Sequence, residues 1–123
     1  MTTDRIWSYA SASGYAEGLL LAGFTVAAAD GTIGHVDRQV DESGMRHLIV
    51  DTGVWVFGRS VLIPVGVVTA IDPEAQEIKV ACTEDEIKAA PRFRTDRETL
   101  DPDFLAGVGH YYRGLPPRPA TAS

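Results

Sequence analysis

The chain has one cysteine, Cys82, so no internal disulfide can staple it. Its three histidines (His35, His47 and His110) include no pair at i, i+4 spacing. A disulfide scaffold and a cysteine-ligated zinc module are thereby excluded. Long apolar runs are missing as well. The least polar stretch, residues 18–29, is interrupted by Gly23 and Thr25 and falls well short of the roughly 20 residues a membrane-crossing helix needs. Asp4 and Arg5 stand among polar neighbours near the start, so no basic segment leads into an apolar one as in an export signal. Positive charge is scarce: 11 Lys and Arg face 17 Asp and Glu, a formal net charge of −6. From Phe24 to Pro91, eleven acids face five bases, so the deficit is central. A surface of this sign repels phosphate backbones and anionic lipid. No nucleic-acid partner, no membrane insertion and a cytoplasmic location are expected.

What is present suits a single globular domain: 123 residues, 45% hydrophobic and 23% charged. Four zones are legible. Residues 1–22, rich in Ser, Ala, Gly and aromatics, form an N-terminal arm with no clean period and little order of its own. Residues 23–91 are the domain. Residues 92–114 form a helical extension, and residues 115–123 a Pro-rich tail that builds neither helix nor sheet.

The domain reads as six short strands: Phe24–Ala29, Thr32–Val40, Arg46–Asp51, Val61–Ile63, Val67–Ile71 and Glu77–Cys82. Asp30-Gly31 and Ser43-Gly44 are turn signals, Pro64 and Gly66 break the fourth run, and Asp72-Pro73 opens the last loop. Tight turns between so many short strands point to a small antiparallel barrel or sandwich. Thr83-Glu-Asp-Glu86 is a capping box that starts a short helix, ended by Pro91. A second short helix starts at Asp101 with Pro102 at its first position, weakened by Gly107 and Gly109.

Register in the second hairpin decides where the histidines lie. A three-residue loop around Gly44 pairs residue 36 with 50 and 38 with 48, gathering Val36, Val40, Leu48 and Val50 on one buried face. His35, Asp37, His47 and Asp51 then share the other face, His35 opposite Asp51. Two imidazoles and two carboxylates are a donor set for a divalent metal or for acid–base work. The same residues also make an ordinary solvated sheet face, and that reading is preferred: no catalytic residue, metal or cofactor is assigned. Cys82 closes an apolar strand with no histidine near it in sequence and is read as a core or edge residue. Gly31 and Gly34 lack the lysine and helix of a phosphate loop.

Gly53-Val-Trp55-Val-Phe57-Gly58 places large apolar residues where loops normally carry polar ones. It is either a flap over the open end of the domain or a set of exposed anchors, with Val54, Trp55 and Phe57 as the partner-binding candidates.

The order of these elements resembles the PRC-barrel domain. The stretches that carry the likeness are Thr32-Ile-Gly34-His-Val36, His47-Leu-Ile-Val-Asp51, Val61-Leu-Ile-Pro64, Thr69-Ala-Ile71-Asp72, and Glu77-Ile-Lys-Val80 through Thr83-Glu-Asp-Glu86-Ile87 to Ala90-Pro91. Asp51-Thr-Gly53 to Gly58 is similar to small stand-alone bacterial members. The resemblance implies a six-stranded β-barrel followed by a short helix, acting as an assembly or protein-contact module with no catalytic motif. The second barrel of the ribosome maturation factor and the membrane helix of the photosynthetic reaction-centre H subunit have no counterpart here, so neither role is expected. The leading expectation is a non-enzymatic adaptor for a protein partner, with sheet edges that also admit a homodimer. A small metal-dependent or sensor protein using the His/Asp face, and an RNA- or ribosome-associated factor, are the alternatives.

Overall fold

The computed structural model describes residues 5–10, 13–16, 18–41, 45–52, 60–91 and 101–115. Six strands form within two residues of the expected limits: β1 Thr25–Ala28, β2 Gly31–Val40, β3 His47–Asp51, β4 Ser60–Pro64, β5 Val68–Asp72 and β6 Glu77–Val80. They make one sheet in the order β4-β3-β2-β1-β6-β5. Neighbours pair antiparallel except β1 and β6, which run parallel with Val26 opposite Ile78.

The expected closed antiparallel barrel is therefore corrected to an open, mixed sheet. The reason lies at the joint between β4 and β5. The three-residue 3-10 turn Val65–Val67 brings the end of β4 close to the start of β5 without pairing the two strands as a hairpin. The outer strands β4 and β5 are not neighbours in the ladder. β6 then returns to β1, whose other side β2 already occupies.

The register of the second hairpin is half as expected. Val36 pairs with Val50 and His35 with Asp51, but the ladder slips between Val36 and Arg38. Beyond the slip Arg38 pairs with Ile49, Gln39 with Leu48 and Val40 with His47, so the expected 38–48 pairing is absent. Asp37 is the extra residue of a β-bulge, which lets two residues oppose one and re-aims the side chains beyond it. Gln39 thereby takes the place expected for Arg38 opposite Leu48, and Val40, now opposite His47, ends half-buried.

Two layers cover the sheet. On the inner face Val26, Val36, Leu48, Val50, Ile63 and Ile78 are buried. The outer face of β3 and β4 is buried too, through His47, Ile49 and Leu62. There the 3-10 turn Arg5–Trp7 and a C-terminal helix lie over the strands. Strands covered on both sides read as continuous apolar runs, as His47-Leu-Ile-Val and Val61-Leu-Ile do.

Both expected helices form. α1, Glu84–Lys88, carries the full capping box: the Glu86 amide donates to Thr83 Oγ1 at 3.2 Å, and the Thr83 amide donates to Glu86 Oε1 at 2.9 Å. Asp30 Oδ1 accepts from the Glu84 amide at 2.9 Å, tying the β1–β2 turn to the start of α1. α2, Pro102–Arg113, is capped by Asp101 and buries Leu105, Val108 and Tyr112. The Tyr111 hydroxyl donates to the Glu86 carbonyl at 2.6 Å and pins α2 to α1.

The described part of the arm is held by the domain, not by its own propensity. Gln39 grips it twice: its Oε1 accepts from the Leu21 amide at 2.9 Å, and its Nε2 donates to the Leu19 carbonyl at 3.2 Å. Leu21 is fully buried, a burial that stabilises by roughly 2 kcal/mol.

Candidate functional site

The sheet face that carries the four sequence-derived metal candidates splits them by environment. His35 and Asp37 are exposed, Asp51 is half-buried, and His47 is 1% exposed. His35 and Asp51 stand directly across the ladder. His47 lies four residues away along β3, beneath the arm, and Asp37 is in the bulge. Among the described residues no group of three or more His, Cys, Asp or Glu side chains converges.

His47 has the most altered environment of the four. Its Nδ1 sits 2.8 Å from the Met45 carbonyl oxygen. A carbonyl only accepts, so Nδ1 carries the ring proton and the neutral ring keeps its lone pair at Nε2. Nε2 is buried without a hydrogen-bond partner. Trp7 meets the ring edge-to-face, with centroids 6.2 Å apart and planes at 77°. Burial pushes the His47 pKa below its ordinary 6.5 and nearby Arg38 does the same, while the Met45 carbonyl and Asp41 oppose them.

A second cluster sits where the arm crosses the β2–β3 hairpin. Tyr9 and Tyr15 stack with ring centroids 3.8 Å apart. The Arg46 guanidinium lies 4.8 Å from the Tyr9 ring centre and 5.0 Å from that of Tyr15. Its Nη2 donates to the Tyr15 hydroxyl at 3.0 Å, and its Nε donates to Asp41 Oδ1 at 3.3 Å. Burial raises the Tyr9 pKa, with Asp41 and Tyr15 adding to the effect and Arg46 and Gln39 opposing it. The phenol stays neutral, so the cluster works as a cation–π clasp and not as an acid–base pair. Sequence reasoning passed over these residues. The available signal was two tyrosines six apart in an arm rich in Ser, Ala and Gly.

Val54, Trp55 and Phe57 lie outside the described residues, as does the Ser43-Gly44 turn. Cys82 is buried and in no disulfide, as expected for a core position. On the β5–β6 hairpin a shallow depression of about 200 Å³ is lined by Ala70, Ile71, Asp72, Glu77 and Lys79. No helix among the described residues is long and apolar enough to cross a membrane. No family model matches the chain, and no curated protein matches it in sequence.

Proposed function

We propose that the protein is a non-enzymatic protein-contact module of PRC-barrel type, and that the margin formed by β5 receives its partner. The observation that carries this reading is the asymmetry of the two margins. α2 lies against β4. Among the described residues β5 has a sheet neighbour on one side only, and its Thr69, Ala70 and Asp72 are exposed. An extended segment added at such a margin gains main-chain hydrogen bonds for affinity and alternate side-chain contacts for specificity. The five-residue length of β5 and its bulge between Val68 and Ala70 blunt the edge against indiscriminate pairing. Val54, Trp55 and Phe57 remain the anchor candidates, and a second copy of the chain is one admissible occupant.

The test is affinity capture from the native cell with the full chain and with Thr69→Lys, Trp55→Ala and Phe57→Ala variants, each first checked for a native circular dichroism spectrum. Loss of the same specific partner in Thr69→Lys and in at least one aromatic variant supports the reading. Retention of that partner by all three folded variants removes it. Sedimentation of the purified protein reports whether the occupant is a second copy.

A further inference from the structure

We infer that the partner presents a lysine or arginine side chain, which sits in the depression on the β5–β6 hairpin between Asp72 and Glu77; this rests on the protein-contact reading above and names the chemistry of its occupant. The depression, about 200 Å³, is lined by Ala70, Ile71, Asp72, Glu77 and Lys79. Asp72 and Glu77 stand directly opposite each other in the ladder. Like charges at such positions are destabilising, because their Cβ atoms lie about 4.5–5.5 Å apart. Among the described residues neither carboxylate makes an ion pair. Lys79 stands in the next row, opposite Ala70. Inward along the acidic row, Glu77 is opposite Thr25 of β1 and Thr25 is opposite His35 of β2, so neither neighbour is a lysine or arginine. The turn adds a third acid, the exposed Glu74. One lysine against three acids leaves the end of this hairpin negative.

The lining suits a side chain with an apolar stem and a charged head. Ala70 and Ile71 offer apolar surface to the methylenes, and the two carboxylates meet the cation. The receiving groups are already held. Asp72 Oδ1 accepts from the Glu74 and Ala75 amides at 3.1 and 3.2 Å. The Thr25 amide donates to the Gln76 carbonyl at 2.8 Å and ties the turn to β1. A seat ordered in advance loses little freedom on binding. The approach is over the sheet face. Gly14 of the arm comes close to the Ile71 carbonyl, whereas Ala70 and Asp72 on either side of Ile71 are exposed. A second copy is the poorer occupant, since it brings the same acidic row and a net charge of −6 to this margin.

The test pans a random peptide display library against the full chain and titrates a resynthesised, enriched peptide by fluorescence anisotropy. The expected peptides share a lysine or arginine between alternating apolar residues. Asp72→Asn and Glu77→Gln each weaken binding about two- to fivefold, the scale of an exposed ion pair. Both substitutions keep a carbonyl oxygen, so the turn bonds survive, and circular dichroism checks the fold. In the double variant an uncharged isostere of the basic residue binds as well as the parent peptide. Enriched peptides that lack a basic residue overturn the inference, as does a basic peptide bound equally by the parent and the double variant. A library that yields no binder, or a homodimer that Thr69→Lys disrupts in sedimentation, also overturns it. Peptides N-methylated on alternate amides separate this inference from strand addition at β5. Binding that N-methylation abolishes but charge does not affect removes the cationic seat and keeps strand addition. Binding that needs both carboxylates but survives N-methylation removes strand addition alone.

Discussion

Replacing Gly34 with alanine strikes the fold where β2 closely approaches the end of β3. A Cβ at this position overlaps the Asp51 carbonyl oxygen and comes within 2.9 Å of both the Asp51 carbonyl carbon and the Thr52 Cα. All three obstacles are backbone, so no rotamer change relieves them. Gly34 also has φ +158°, a conformation L side chains rarely adopt. Overpacking of this kind costs about 1–3 kcal/mol and an ill-suited φ about 1–3 kcal/mol more, giving about 4 kcal/mol as a central value. For a chain of this size that loss lowers Tm by about 15 °C. Thermal melts followed by circular dichroism, with urea midpoints as a second measure, would read it. Gly107→Ala is the control: it sits on the exposed side of α2 with nothing within 4 Å of an added Cβ. There the helix gains about 0.5–1 kcal/mol from the lost glycine flexibility. A Gly34→Ala protein melting within about 2 °C of the parent, or a Gly107→Ala protein that loses as much as Gly34→Ala does, would refute the close-approach reasoning.

Thr83→Ala removes one bond of the α1 capping box and is expected to cost about 1 kcal/mol, with Thr83→Ser recovering most of it in urea titrations. Gln39→Ala leaves the Leu21 amide and Leu19 carbonyl without their side-chain partner. A loss of about 1–3 kcal/mol is expected, with hydrogen exchange faster at residues 19–21 before it changes in β3. The pH dependence of stability follows from His47, whose folded pKa lies below 6.5. The unfolded chain takes the proton first, so the contribution is complete above about 6.5 and declines as pH falls towards the folded value. Urea midpoints should therefore drop on acidification through that window, and His47→Phe should flatten the drop; an equal slope in the variant would assign the effect elsewhere.

Local chemistry was the legible part of this fold. The strand limits followed from turn residues and apolar runs, and the capping box and Pro102 placed both helix starts, because each signal acts within a few residues. The bulge at Asp37 was not legible, since one extra residue leaves the apolar pattern intact on each side of it. The burial of His47 was misjudged by assuming that only one sheet face is covered. Ile49, apolar between His47 and Asp51 on the face read as solvated, was the available sign that something lies over the second face. The covering residue is Trp7, and nothing near it in sequence indicates that its partner is Gly109, about a hundred residues away along the chain. The same distance problem hid the β1–β6 pairing, which local pattern does not encode.

The β1–β6 contact has a kinetic consequence. Strands β1 to β4 follow one another as antiparallel neighbours, so they can zip progressively from short loops. The Val26–Ile78 pairing must instead close about fifty residues of chain, the slowest kind of event in a small domain. During synthesis β1 therefore waits with one flank bare until β6, Glu77–Val80, emerges. Pulse-labelled exchange during refolding should show β2 and β3 protected before β6, and simultaneous protection of all six strands would place the rate-limiting closure elsewhere.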